Sequence, residues 1–271
     1  MATEINNIIG LIAGGGTFPL QIAETARNRG LTVIALAHEG DTDPGLTQKV
    51  DKIVWIKLGQ LGKIINVFKK NGVQQALMAG TINKRRMFSK IKPDLKGLAL
   101  ISKMAILHDD GILRAVAREL EAEGIEMISS TFCLPELLTP PGLLTKRKPN
   151  KEEKEDIQFG WEMAKALGKL DIGQCVVVRR KTVLAVEAIE GTDETIRRGG
   201  RLAQEKAVIV KVSKPNQDLR FDVPTVGLQT IRTMLEVQAA VLALEADKTL
   251  LFDKKEMLAL ADKSGIVIIA L

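Results

Sequence analysis

The apolar positions change their spacing along the chain, and the changes mark its elements. Ile8 to Ala13 is an unbroken apolar run, the pattern of a short buried strand. Gly14, Gly15 and Gly16 follow at once, then a helical spacing from about Pro19 to Asn28 that Gly30 ends. A second run, Thr32 to Ala37, is another strand. This order of strand, glycine turn, helix and strand opens a parallel α/β unit. The rhythm predicts further strands over 52–56, 74–80 and 125–129. Between them it predicts helices over Leu61–Lys70, with Leu61, Ile64, Ile65 and Phe68 on one face, over 94–107, and over Gly111–Glu123, capped by Asp109 or Asp110.

The pattern then shifts. Leu134-Pro135 and Thr139-Pro140-Pro141-Gly142 break regular structure, and residues 146–155 are almost wholly charged or turn-forming. The reading is a parallel α/β domain over 1–133, a linker over 134–150, and a distinct α/β domain with a mixed sheet over 151–271. In the latter a helix is expected over about 152–167, then an antiparallel hairpin from Gln174–Arg179 and Thr182–Ala188. A short helix starts at Thr192 and is closed by Gly199-Gly200, before a strand over 207–212. A long helix over Leu228–Glu245, a strand over 249–252, a helix over 254–263 and a strand over 266–270 complete it.

Aromatic residues are 3% of the chain and tyrosine is absent, so the cores fall to Ile, Leu, Val, Ala and Met. The formal charge of +6 favours an anionic partner without naming one. No recognition motif or stacking pattern points to nucleic acid. Two cysteines, Cys133 and Cys175, make no disulfide framework and suit a reducing compartment. No stretch approaches the roughly 18 apolar residues of a membrane span, and the expected location is cytoplasmic.

Five stretches carry candidate chemistry. In GLIAGGGTFP (10–19) glycines after a buried strand allow close backbone approach, and the helix start offers N–H groups to a phosphate. Phe18, Pro19 and Leu20 stand where a dinucleotide fingerprint needs its last glycine, and no Lys-Ser/Thr follows as in a Walker loop. A tight turn and a phosphate, ribose or uridine contact through Gly15, Gly16 and Thr17 both remain, the second preferred. MAGTINKRRMF (78–88) leaves a predicted strand at its carboxyl end, with Gly80 and Thr81 beside the Lys84–Arg86 cluster. LHDDGILRAV (107–116) reads equally as a helix cap or as a cation site. VLAVEAIEGTDETIRRGG (183–200) puts Glu187 in an apolar strand, where a carboxylate is costly unless paired or functional, next to Thr192 and Asp193. KVSKPNQDLRFDVPTVG (211–227) is the densest set. Asp218 and Asp222 suit Mg²⁺ and a water, Lys214 and Arg220 suit phosphoryl charge, and Gln217 and Thr225 lie in the same rigid loop.

Taken together, GLIAGGGTFP, MAGTINK, HDDGILRAVA, VLAVEAIEGTD and KPNQDLRFDVPTVG, in this order, resemble the LpxI-type UDP-2,3-diacylglucosamine pyrophosphatases over essentially the whole chain. The resemblance implies a Rossmann-like N-terminal domain and a separate C-terminal α/β domain. It also implies Mg-dependent hydrolysis of UDP-2,3-diacylglucosamine to UMP and 2,3-diacylglucosamine 1-phosphate (lipid X) in lipid A biosynthesis. The required aspartate of the family's R-x-D-x-P-T motif is Asp222 here. On this basis Asp222, Asp218, Lys214 and Arg220 are the expected catalytic residues. Asp222, Asp218, Glu187 and Asp193 are the expected metal ligands. Gly15, Gly16, Thr17, Gly80, Thr81, Thr192, Gln217 and Thr225 are expected to line the substrate. A peripheral contact with the inner membrane and a homodimer are further implications. The rivals are a dinucleotide oxidoreductase, with Glu39 as its ribose acid, and a nucleotide-sugar or lipid binder without catalysis.

Overall fold

The computed structural model describes residues 7–81, 93–103, 109–132, 134–215, 217–221 and 223–271. Asp222, the Lys84–Arg86 cluster, Met87-Phe88, His108 and Cys133 therefore lie outside the described residues. Contacts divide the chain into two compact units. One holds residues 1–135 and 218–222, the other 136–217 and 223–271.

In the first unit five strands form one wholly parallel sheet: β1 (Ile8–Ala13), β2 (Thr32–His38), β3 (Lys52–Ile56), β4 (Gln75–Ala79) and β5 (Glu126–Met127). Their order is β3-β2-β1-β4-β5. Helices α1 (Phe18–Asn28), α2 (Leu61–Lys70), α3 (Leu95–Lys103) and α4 (Asp109–Ala122) alternate with them. The face of α2 read from its spacing is the buried one, with Leu61, Ile64, Ile65 and Phe68 in a core shared with Leu36 and Ile56.

The second unit has a mixed sheet of order β6-β13-β11-β9-β7-β8. Its strands are β6 (Gly142–Leu143), β7 (Cys175–Arg179), β8 (Thr182–Val186), β9 (Val208–Lys211), β11 (Val241–Leu244) and β13 (Val267–Ala270). The short strands β10 (Thr225–Val226) and β12 (Leu250–Leu251) pair separately. Helix α5 (Lys151–Lys169) starts in a capping box between Asn150 and Glu153, whose carboxylate also accepts two hydrogen bonds from Arg147. It lays Ile157, Ala164 and Leu167 on one face of the sheet, against Val176, Val208 and Val210. Helices α6 (Thr192–Ala203), α7 (Leu228–Glu236) and α8 (Lys254–Lys263) supply the other core, around Ile196, Ile231 and Met257.

Four boundaries differ from the sequence reading. The stretch 134–150 is not a bare connector, because Gly142–Leu143 pairs antiparallel with β13. The long helix over 228–245 is a helix that ends at Glu236 and a strand that begins at Val241. Val237 caps the helix, Gln238 turns the chain in the left-handed region, and Val-Leu-Ala-Leu is fully buried between two parallel neighbours. Helix α6 runs through Gly199-Gly200 to Ala203. A β-carbon on Gly199 would stand 2.5 Å from Val177, and one on Gly200 2.3 Å from Val237, so these glycines serve close packing and not termination. Residues 218–222 belong with the first unit.

Candidate functional site

In the first unit the strand order reverses between β1 and β4, the switch point at which open α/β sheets leave a crevice at their carboxyl ends. Both glycine stretches leave the sheet there, and they bind each other. Gly14 N–H donates to Ala79 O (2.7 Å), Gly15 N–H to Thr81 O (2.7 Å), and Thr81 N–H to Gly15 O (3.1 Å). A β-carbon on Gly80 would stand 2.5 Å from Gly15 O, and its φ of +88° lies in the region that favours glycine. Gly14 and Gly80 thus serve an approach of backbone to backbone. The open part of the loop is Gly16 and Thr17. Both are exposed, and a β-carbon on Gly16 meets nothing within 4 Å.

Two side chains from the end of β2 hold the same loop. His38 Nδ1 lies 3.0 Å from Ala13 O, and Thr42 Oγ1 donates to that carbonyl at 2.6 Å while accepting from His38 N–H. Burial pushes the His38 imidazole below its ordinary pKa, against the hydrogen bond to Ala13 O and the charge of Asp41. Neither residue was found from the sequence.

The 218–221 segment of the first unit is a closed polar turn. Arg220 Nε donates to Asp218 Oδ1 (3.0 Å) and Nη2 to Oδ2 (2.8 Å), a two-point clasp, while Nη1 reaches Glu121 (2.8 Å). The clasp holds the Asp218 carboxyl below the usual carboxylate range. Ser129 Oγ donates to Leu219 O (3.2 Å), and Phe221 packs on the first core. Asp218 and Arg220, expected to share a metal and a phosphoryl group, are here bound to each other.

In the second unit the carboxyl ends of β8, β9 and β11 carry a polar row. Glu187, just past β8, is buried. Its Oε1 accepts from Thr192 Oγ1 (2.7 Å) and its Oε2 from Gln174 N–H (3.3 Å). Lys211 ends β9, and its ammonium donates to Thr192 Oγ1 (2.9 Å) and to Thr225 O (2.8 Å). Thr192 has one hydroxyl proton and it goes to Glu187, so toward an anion this residue has only its backbone N–H to offer. Burial pushes the Asp193 carboxyl up, against the charges of Arg197 and Lys211.

Further along the row, burial alone would raise the Glu245 carboxyl. Lys165 (2.6 Å), Lys248 (2.9 Å) and Ser213 N–H (2.7 Å) together hold it below its ordinary value. Gln217 Oε1 closes the turn after β9 by accepting from Lys214 N–H (2.9 Å), and Lys214 Nζ donates to Asp171 (2.6 Å). The structure thus joins Glu187, Thr192 and Thr225 through Lys211, a residue the sequence reading passed over. Its signal was a charge at the end of the apolar run Val208-Ile209-Val210.

Of the expected magnesium ligands, Asp218 has both oxygens on Arg220, Glu187 has both of its oxygens engaged, and Asp222 lies outside the described residues. Among the described residues no group of three or more His, Cys, Asp or Glu side chains is placed to hold a metal.

Comparison with known proteins follows the same two-part division. The sequence profile of the LpxI N-terminal domain matches residues 8–137 and that of the LpxI C-terminal domain residues 140–269. A protein of Caulobacter vibrioides described as UDP-2,3-diacylglucosamine pyrophosphatase LpxI is 34% identical over 272 residues, 96% of this chain and 96% of its own length. Among solved structures, that of gox2253 covers 95% of this chain and 88% of its own at 9% identity, with a TM-score of 0.32. The biotin carboxylase domain of a thermophilic 2-oxoglutarate carboxylase covers 62% of this chain at 15% identity and a TM-score of 0.26. The present chain spans 34% of that domain's length. Similarity this slight carries no argument.

Proposed function

Because the chain belongs to the LpxI family along its whole length, we propose that it hydrolyses the pyrophosphate of UDP-2,3-diacylglucosamine, giving UMP and 2,3-diacylglucosamine 1-phosphate (lipid X) in lipid A biosynthesis. The observation that carries this reading is the match of both domain profiles in order, together with a relative 34% identical across 96% of each chain.

The chemistry asked of the residues is the binding of a diphosphate and the stabilisation of charge as its anhydride bond breaks. Gly16 and Thr17 are the open part of the first glycine loop, next to the start of α1, and suit a phosphate or the ribose. Lys214 suits a phosphoryl oxygen, with Gln217 fixing its backbone. Arg220 and Asp218, clasped to each other, are better read as the support of the 218–221 turn. Asp222 keeps the central role through the family motif.

Dependence on Mg²⁺ is part of the proposal. The cation is assigned to the diphosphate oxygens with Asp222, because Mg²⁺ characteristically takes one or two carboxylates and completes its shell with phosphates and water. Loss of turnover in excess chelator and its return with Mg²⁺ would bear this out.

The two acyl chains of the substrate place the site of action at a membrane surface, and we assign the protein to the cytoplasmic face of the inner membrane, as a peripheral protein. No helix among the described residues is long and apolar enough to cross a bilayer. Leu95 and Leu98 on α3 are exposed large apolar side chains available for such a contact. The homodimer expected of the family is tested by light scattering of the purified chain.

The test of the central reading is UMP release from dispersed UDP-2,3-diacylglucosamine with Mg²⁺, the native chain against Asp222→Ala. Release by the native chain alone supports both substrate and residue. Equal release by both keeps the reaction and removes Asp222 from its centre. No release by folded native protein removes the reaction.

A further inference from the structure

Lys211 is a buried charge that the proposed mechanism does not use. It is 6% exposed. In the alternation of β9 it shares a face with Ile209, whose side chain belongs to the core beneath α6, α7 and α8. Its cross-strand neighbours are Cys175 and Leu244, both fully buried. An apolar side chain in this register would simply lengthen that core. Placing an ammonium there costs several kcal/mol unless it is well paired, and its two hydrogen bonds both go to uncharged oxygens. Those bonds alone do not offset the burial, although the Asp193 carboxyl lies near enough to feel the charge.

The partners of Lys211 supply a reason for the charge. Thr192 opens α6, and Thr225 lies three residues beyond Asp222. Both were expected to line the substrate, and the lysine ties the two segments together. It also directs the Thr192 hydroxyl: with Lys211 donating to its oxygen, the single proton of Thr192 points at Glu187. Lys211, Thr192 and Glu187 form one line of hydrogen bonds, cation at one end and carboxylate at the other.

We propose that Lys211 is a positioning residue for the phosphoanhydride hydrolysis. It acts through Thr192 and Thr225, setting the first turn of α6 and the 225 segment where the diphosphate reacts. This rests on the hydrolase reading above and adds to it a residue and a role.

The test is Lys211→Met, which keeps an unbranched side chain one atom shorter and removes the charge. Its urea midpoint, followed by the fluorescence of Trp161 in a Trp55→Phe chain, is expected to stay near that of the native chain, the relief of the buried ammonium offsetting the two hydrogen bonds lost. Its kcat for UMP release is expected to fall about ten- to a hundred-fold, the scale of lost hydrogen bonds to a charged group, with KM within about threefold. Because part of the effect runs through Thr192, Lys211→Met in a Thr192→Val background should cause a smaller further loss of kcat than it causes in the native chain. Thr192→Val breaks the line at its middle if Lys211→Met fails to fold. Then a fall in kcat with Thr192→Val supports the line and an unchanged kcat overturns it. Unchanged kcat in Lys211→Met, a stability loss that parallels the activity loss, or additive effects in the double variant would each overturn the proposal while the hydrolase reading stands. A native chain that releases no UMP removes both.

Discussion

Replacing Gly80 by alanine separates two roles that the sequence leaves joined, ligand approach and loop packing. The φ of +88° at this position costs an L-residue about 1–2 kcal/mol, partly offset by the lower entropy of the unfolded alanine chain. The larger effect is steric. The new β-carbon would stand 2.5 Å from Gly15 O and 2.9 Å from both Gly14 C and Pro19 Cγ. Two of the three are backbone atoms, so the loops must part. Parting weakens the paired bonds between Gly15 and Thr81, each worth about 1 kcal/mol, for a total near 3 kcal/mol. Gly16→Ala is the control. It has the same φ of +88° and open space around its β-carbon, so it carries the backbone cost alone, about 1 kcal/mol after the offset. The chain has two tryptophans, Trp55 in the first unit and Trp161 in the second. With Trp161 replaced by Phe, urea unfolding followed by fluorescence reports on the first unit alone. Equal midpoints for Gly80→Ala and Gly16→Ala would refute the packing argument. A Gly80→Ala chain of native stability that has lost UMP release would return Gly80 to the substrate.

Two further outcomes follow from the polar clasps. Asp218 is held below its ordinary pKa by Arg220, so its clasp contributes stability above the unfolded carboxylate value of about 3.9 and loses it as pH falls through the folded value. The first-unit midpoint of Asp218→Asn should therefore lie below native at pH 7 and converge with it in acid; a constant gap down to pH 2 would sink this account. Asp156 is 3% exposed and accepts from Arg180 N–H (2.8 Å) and Lys181 N–H (2.6 Å), both at left-handed positions of the β7–β8 turn. Asp156→Ala should cost the second unit about 2 kcal/mol, less than two full charge-assisted bonds because water reaches the exposed tip; Trp161 fluorescence in a Trp55→Phe chain reads it, and an unmoved midpoint would show the turn holds itself.

The elements of the first unit were legible because each obeys one period. Ile8–Ala13 and Thr32–His38 are continuous apolar runs in a buried parallel sheet, and Leu61–Lys70 buries the four residues that its spacing selects. Legibility failed where two periods coincide. From Leu235 to Leu244 the chain is rich in Ala, Val and Leu and fits a helix as well as a buried strand. The left-handed turn at Gln238 decides the matter, and glutamine gives no sign of it. Gly199-Gly200 misled for a related reason. Glycine ends helices, but it also lets a helix lie on a strand, and only the position of Val177 and Val237 distinguishes the two.

The site was legible by residue type and illegible by partner. The sequence reading singled out Glu187, Thr192 and Thr225 one by one, yet the residue that ties Thr192 to Thr225, Lys211, lies 19 positions from one and 14 from the other, and only the folded chain brings it to both. Asp218 and Arg220 show the converse. Two residues apart in a polar loop, they read as a metal ligand and a phosphate ligand. A carboxylate and a guanidinium at that separation can equally satisfy each other, and here they do, with Glu121 taking a further guanidinium N–H. A charged residue in a loop is therefore weak evidence of a ligand until its neighbours are known. A charge in the register of an apolar core is stronger evidence, because folding alone would have removed it. By that criterion Lys211 and Glu187, joined through one threonine hydroxyl, are the charges of the second unit to test first.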